Sequence, residues 1–339
     1  MVSSMKALSL NGSNGPESLS LVETELPLPS AGQVRVKLKC AALNRRDVWM
    51  TVGQYPGIQI PAIAGSDGSG IVDIVGDGVS AAHIGREVVI YPALEWGSDP
   101  LCGGKNFRVL GMPDQGTFAE YICIPEASIY NKPQHLNWEE AAAFPLAGLT
   151  AWRATVTHGN VLKGNKVLVT GIGGGAAGFA LMWAREKGAE VVVTSSSQSK
   201  IDAAIKQGAS KGFNYTDPNW SKELRSKIGA VDLIIDSGGG DDLNKALDTL
   251  KNGGRYVFFG ATQGNSSTGL NMAKLFFKQI RIQGTTMGRP EEFAEMLEFV
   301  TSKKLKPIVD QVFSFNESVE AHRRMLNSEQ MGKIVLKFD

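Results

Sequence analysis

Hydrophobic and polar positions alternate cleanly early in the chain. Over Gln33–Leu38, Val34, Val36 and Leu38 fall on one face and Arg35 and Lys37 on the other, which predicts a half-buried strand. A strand-like run begins at Met5, and further short β runs are predicted at Gly70–Val75, Glu87–Tyr91 and Thr117–Ile124, bounded by Gly, Asp and Pro. Residues 92–116 are rich in Pro, Gly and Asp and read as a long loop. After about Asn137 the texture changes. Trp138–Leu146 and Leu149–Thr157 read as helical, and then strands and helices alternate. Strands are predicted at Lys166–Thr170, Glu190–Thr194, Val231–Asp236, Arg255–Gly260 and Lys278–Gly284. Helices are predicted at Ala176–Lys187, Lys200–Gln207 and Asp241–Lys251. That alternation predicts a parallel, doubly wound sheet. Pro290 opens a last amphipathic helix with Phe293, Met296, Leu297 and Val300 on one face, and Gly332–Phe338 closes the pattern with a strand.

Composition narrows the class. The 339 residues suit two domains, 42% are hydrophobic and 20% charged, and the net charge of +1 gives no electrostatic reason to expect nucleic acid. Three cysteines (Cys40, Cys102 and Cys123) form no CxxC pair and suggest no disulfide framework. No leader is expected ahead of Met5 and no apolar run is long enough to span a bilayer, so a cytoplasmic setting without membrane association is expected.

The strongest chemical signal is KVLVTGIGGGAAG at 166–178. An apolar strand runs into Gly171, Gly173, Gly174 and Gly175, and a helix follows at Ala176. Glycines allow a tight turn and close backbone approach to a pyrophosphate, while the helix N-terminus offers N–H groups and partial positive charge. The position between strand and helix is the context a dinucleotide site requires. The next strand ends in Ser195, Ser196 and Ser197, with Lys200 shortly after, where NAD-binding units usually carry an acid for the ribose 2′-hydroxyl. Hydroxyls and an ammonium suit a 2′-phosphate, so NADPH is the expected cofactor, with Tyr215 as a further donor. A helix-capping serine and a surface lysine would account for the same residues.

Several segments together resemble the medium-chain dehydrogenase/reductase superfamily, in particular its zinc-independent quinone oxidoreductase-like branch. They are ALNRRDVWMTVGQYP (42–56), PAIAGSDGSGIV (61–72), GTFAEY (116–121), AGLTAW (147–152), VDLIIDSGGG (231–240) and GGRYVFFGAT (253–262). The resemblance implies an α/β fold in which a GroES-like β-rich catalytic domain is joined to a doubly wound Rossmann cofactor domain. Residues 1–147 and 287–339 would form the first and 148–286 the second, with the active site in the cleft between them and a homodimer as the common assembly. Ser237, Gly238, Gly260, Ala261, Thr262, Met287 and Gly288 would then lie along the cofactor, and Lys333, in GKIVL, near the cleft.

Zinc-dependent members of that family use a Cys, a His and a later Cys or acid. The matching positions are Asn44, Ser66 and one near Leu146, with Asp67 beside the His position. Asn, Ser and Leu supply no zinc set, and the loop 92–116 has one Cys where a structural zinc needs four, so no metal is expected. Without a Lewis acid, reduction of an electron-poor small-molecule acceptor remains feasible, either a quinone or an α,β-unsaturated carbonyl. The candidates are Asn44 as donor to the acceptor oxygen, Asp47 orienting Asn44 or its loop, Tyr55 as an aromatic wall or proton donor, and Thr150 beside the nicotinamide. Three of these have a plainer reading as well: a turn-forming Asn for Asn44, a helix-terminal acid for Asp47 and a helix-interior Thr for Thr150. An enoyl-thioester reductase, a non-catalytic NADPH-binding protein and an alcohol dehydrogenase stay open as alternatives.

Overall fold

A computed structural model describes residues 4–264 and 269–338. The chain divides into two compact units. One is built from the chain up to Leu149 and from Gly288 onward, the other from Thr150–Met287. The division falls inside the helix Pro145–Trp152, which widens into a π-helical turn over Arg153–His158 instead of continuing as α-helix.

The first unit is β-rich. Its larger sheet has seven strands, with Gln33–Ala42 flanked by Asp67–Val75 on one side and Lys333–Lys337 on the other. Tyr121–Pro125 also pairs with Gln33–Ala42, and the sheet ends at Ile129–Asn131 and Val309–Ser314. A three-stranded sheet of Leu19–Glu25, Ser4–Leu10 and Ala62–Ile63 stands beside it. Val34, Val36 and Leu38 are buried as the alternation predicts. Arg35 departs from that pattern and is buried too. Its guanidinium pairs with Asp73 at 2.7 Å and lies over the Tyr121 ring, so the outer face of this strand is covered at Arg35 while Lys37 stays exposed. The stretch 92–116 is not featureless, because Ala93–Leu94 and Arg108–Val109 pair as a short antiparallel ladder.

Two helices and an edge strand of the first unit are among the elements outside the sequence pattern. Arg45–Thr51 is a helix; its two arginines, Asp and Thr break up the apolar spacing. Val309–Ser314 is an edge strand with little buried surface, and Ser318–Leu326 is a helix after the one opened by Pro290, which is therefore not the last. The Pro290–Lys303 helix buries Phe293, Met296, Leu297 and Val300 as expected from their spacing.

The second unit holds a six-stranded sheet, parallel throughout. Its order is Lys211–Asn214, Glu190–Ser195, Lys166–Val169, Val231–Asp236, Leu250–Phe258 and Arg281–Gly284. Strand order reverses between Lys166–Val169 and Val231–Asp236, which makes the carboxyl ends of these two strands the switch point where such sheets bind ligands. Val167, Leu168, Val169, Leu233, Ile234 and Ile235 are almost wholly buried, as strands covered on both faces require.

Candidate functional site

In the second unit the candidate site is made of backbone. The strand Lys166–Val169 passes through Gly171 (φ 64°) and Gly173 (φ 131°) into the helix Gly175–Glu186. No side chain caps that helix at Gly174, so its first N–H groups face outward from the turn. Positive φ is one reason for glycine here, and close approach is another. A Cβ on Gly173 would stand 2.8 Å from Lys200 Cδ and 3.2 Å from its Nζ, and one on Gly171 would stand 2.9 Å from Ser237 Oγ. The turn therefore brings Lys200 and Ser237, remote in sequence, to the same place.

Asp236 organises the neighbouring loop. It is buried and accepts from the backbone N–H groups of Gly238 (3.1 Å) and Gly239 (2.8 Å), and from the hydroxyls of Thr170 and Tyr256. Burial beside this carboxylate pushes the Tyr256 hydroxyl well above the usual phenol range, so it remains a donor. Sequence reasoning treated Asp236 only as the end of a strand. An acid closing an otherwise apolar buried run was the available signal. Ser237, through its carbonyl, accepts from Thr262 N (3.2 Å) and Oγ1 (3.1 Å), which joins the segment at Gly260, Ala261 and Thr262 to the same edge of the sheet.

The serines separate in role. Ser195 is buried and its hydroxyl accepts from Ser197 N (3.2 Å). Ser197 caps the helix Gln198–Lys206, accepting from Lys200 N (3.4 Å). Ser196 is exposed, and Tyr215 is half-buried with its N–H on the Ser195 carbonyl (3.2 Å). Thr150 donates to Met287 Sδ at 3.9 Å, and both side chains are buried. Gly288 belongs to the first unit, where a Cβ would strike Leu149 Cδ1 at 2.7 Å.

In the first unit the site is made of side chains. Asn44 stands just ahead of the helix Arg45–Thr51, and Asp47 Oδ2 accepts from its backbone N–H at 2.7 Å. The Asn44 amide donates to Asp67 Oδ2 (2.9 Å) and accepts from Lys333 Nζ (2.7 Å). Lys333 Nζ also pairs with Asp67 Oδ2 at 2.8 Å, with the two side chains 3% and 0% exposed. Asp67 Oδ1 accepts from Leu146 N (2.7 Å). An ion pair so buried is tolerated only when its remaining hydrogen-bonding capacity is met, and here the backbone and Asn44 meet it. One Asn44 N–H is left over, because an amide carries two.

Arg46 lies beside this cluster, donating through Nη1 to Ser66 Oγ (2.6 Å) and to the Leu110 carbonyl (2.7 Å), with the half-buried Tyr55 ring 4.7 Å from its guanidinium carbon. Burial pushes the Asp47 carboxyl up to about 6, against the opposing pull of Arg46, the Asn44 N–H and Lys333. The sequence reading passed over Arg46, since an arginine in a polar helix start looks like surface.

These residues do not fit zinc. Of the positions that resemble ligand sites, Asn44 and Ser66 are held in hydrogen bonds to neighbouring cations, Leu146 contributes only a backbone N–H, and the Lys333 ammonium already occupies the Asn44 and Asp67 oxygens. Among the described residues no group of three or more His, Cys, Asp or Glu could hold a metal ion. Among them, too, no helix is long and apolar enough to cross a membrane.

Residues 30–134 match the alcohol dehydrogenase GroES-like domain and residues 175–302 the zinc-binding dehydrogenase family. A zinc-type alcohol dehydrogenase-like protein, YogA, from Leptosphaeria maculans is 36% identical over 94% of this chain and 94% of its own. Human quinone oxidoreductase is 26% identical over 98% and 97%. A crystal structure of an NAD-dependent alcohol dehydrogenase superposes with a TM-score of 0.92 at 38% identity, covering 98% of this chain and 99% of that one. The chain belongs to the medium-chain dehydrogenase/reductase superfamily of oxidoreductases.

Proposed function

We propose that the chain is an NADPH-dependent reductase that works without zinc and passes hydride to a quinone or an α,β-unsaturated carbonyl. The observation that carries this reading is the Lys333 ammonium bonded to Asn44 Oδ1 and Asp67 Oδ2, a fixed internal cation at the positions that resemble a metal site. NADPH supplies the hydride. The glycine turn and the helix start at Gly175 hold its pyrophosphate, Ser237 lies along it, and Lys200 with Ser196 and Ser197 takes the 2′-phosphate. In the first unit, Lys333 and Asp67 fix the Asn44 amide plane, and the cation on Oδ1 draws charge from the amide. That makes the remaining N–H a better donor to an oxygen gaining negative charge. Asp47 holds the Asn44 backbone and so keeps that donor in place.

The related NAD-dependent alcohol dehydrogenase favours a second reading, alcohol oxidation with NAD+ as the hydride acceptor. The two part in one set of measurements. NADPH absorbance should fall with 1,2- and 1,4-quinones or short alkenals, chelators should leave the rate unchanged, and elemental analysis should find no stoichiometric zinc. Chelator-sensitive alcohol oxidation, or one zinc per chain, would overturn the proposal.

We further propose a homodimer formed through the second unit. Arg281–Gly284 ends its sheet with all four residues exposed, and Met272, Phe276 and Phe277 on the preceding helix are 65%, 63% and 75% exposed. An open strand edge beside large apolar side chains invites a partner. Ile282→Lys should convert a dimer to a monomer in sedimentation velocity, and a monomeric parent protein would refute the assignment.

A further inference from the structure

Arg46 carries unused binding capacity. Its side chain is 7% exposed and bonded through Nη1 to two neutral oxygens. Nε and Nη2 are sealed from solvent and have no hydrogen-bond partner among the described residues. In a guanidinium these two nitrogens share one edge, the edge that grips a carboxylate through two parallel N–H bonds. Burying such donors unpaired is costly, so their retention calls for a partner that arrives later. Tyr55 covers the guanidinium face in the meantime. Its half-buried ring is carried between Gly53 (φ 72°) and Gly57 (φ 69°), in a stretch whose other residues are exposed.

The nearby charges select the ligand's charge. Lys333 and Asp67 neutralise one another, and the Asp47 carboxylate is turned to the Asn44 backbone through Oδ2, with Oδ1 unpartnered among the described residues. A carboxylate offers two coplanar oxygens to the open Nε/Nη2 edge and adds only one negative charge to the cluster. A phosphate dianion would leave an excess negative charge among buried carboxylates.

We propose that Arg46 anchors a carboxylate on the acceptor, so that the site prefers short unsaturated oxo-acids to their neutral analogues. This rests on the reductase reading above. The carboxylate takes no part in the chemistry: hydride from NADPH forms the new C–H bond at the β-carbon, the C=C π pair shifts towards the carbonyl, and a proton from water completes the α-carbon.

The test compares (E)-4-oxo-2-pentenoate with its methyl ester in turnover, and 4-oxopentanoate with its methyl ester in calorimetric binding to the full chain with NADP+. The ester is intrinsically the more electrophilic, so a preference for the acid cannot come from reactivity. We expect the acid to lead by tenfold or more in kcat/KM and in affinity, mainly through KM, with Arg46→Met bringing acid and ester to within twofold and Arg46→Lys falling between. Equal values in the unsubstituted protein, or a preference that survives in R46M, would overturn the proposal. Should R46M fail to fold, the acid–ester ratio of the unsubstituted protein decides by itself. If neither compound is reduced but 4-oxopentanoate still outbinds its ester, the reductase reading fails and the anchor stands. If both are reduced equally and bind equally, the anchor fails and the reductase reading stands.

Discussion

Between Gly171 and Gly175 the second unit presents backbone: a turn with two positive-φ glycines and an uncapped helix start, all within a few residues of one another. Around Asn44 the first unit presents side chains gathered from separate strands and loops, namely Asn44, Asp47, Asp67 and Lys333, with Arg46 alongside. The first kind of site tolerates change in neighbouring side chains but not in backbone conformation. The second depends on charge balance, so each member is held by the others and its loss is felt by all. One region is a conformation, the other a neutralised network.

That contrast can be broken most decisively at Lys333. Lys333→Met leaves Asp67 buried without its cation, and urea unfolding should show a loss of about 3–5 kcal/mol. The double change Lys333→Met with Asp67→Leu should recover much of it, because the pair as a whole is worth far less than the cost of breaking it. A single-variant loss under about 1 kcal/mol would mean that the cluster is not a network.

Gly173→Ala is the matching test of the backbone site. A side chain there must adopt φ 131° and displace Lys200. The strain exceeds about 1 kcal/mol, and NADPH and NADH should both weaken in fluorescence titrations; unchanged affinity for both would remove the turn from the cofactor site. Lys200→Ala is expected to act more narrowly. It should cost NADPH about 1.5–3 kcal/mol of binding, the range for a hydrogen bond to a charged group, and leave NADH nearly untouched. Equal losses for both coenzymes would refute the 2′-phosphate assignment.

The smallest effect is a pH slope in the first unit. Burial pushes His322 down to about 4 from 6.5 and Asp47 up to about 6 from 3.8. The His322 contribution is present above its ordinary value and is lost as pH falls towards about 4. The Asp47 contribution runs the other way: it is present at acid pH and is lost as pH rises through about 6. The two slopes oppose between these limits, so stability should be nearly flat there. Asp47→Asn should uncover the histidine slope, up to about 1 kcal/mol per pH unit, measured by urea unfolding across the window. An unchanged profile would remove Asp47 from the balance.

How much could be read beforehand follows the same divide. The glycine turn was legible because strand, glycines and helix are contiguous and each leaves a local trace. The parallel sheet was legible because its central strands are buried on both faces. The resemblance pointed to Asn44, Asp67 and Lys333 singly, but nothing local says that a lysine 289 residues away will bond to Asn44. Arg46 was missed for a related reason: an arginine at a helix start is ordinarily solvated, and only the packing of Tyr55 and Leu110 reveals that this one is not. The helix Arg45–Thr51 was hidden by its polar residues, of which Arg46 and Asp47 serve the cluster rather than an amphipathic face.

The lysine that closes the network also sets an order of assembly. Asn44 and Asp67 precede the second unit in the chain, and Lys333 follows it. A chain made from its N-terminus therefore completes the contiguous Thr150–Met287 segment while Asp67 still lacks its counter-ion, and the central strand Gln33–Ala42 still lacks the neighbour supplied by Lys333–Lys337. Contacts of such long sequence separation are slow to close. The first unit should thus mature last, with its apolar strands exposed for longest during synthesis and most in need of protection from aggregation.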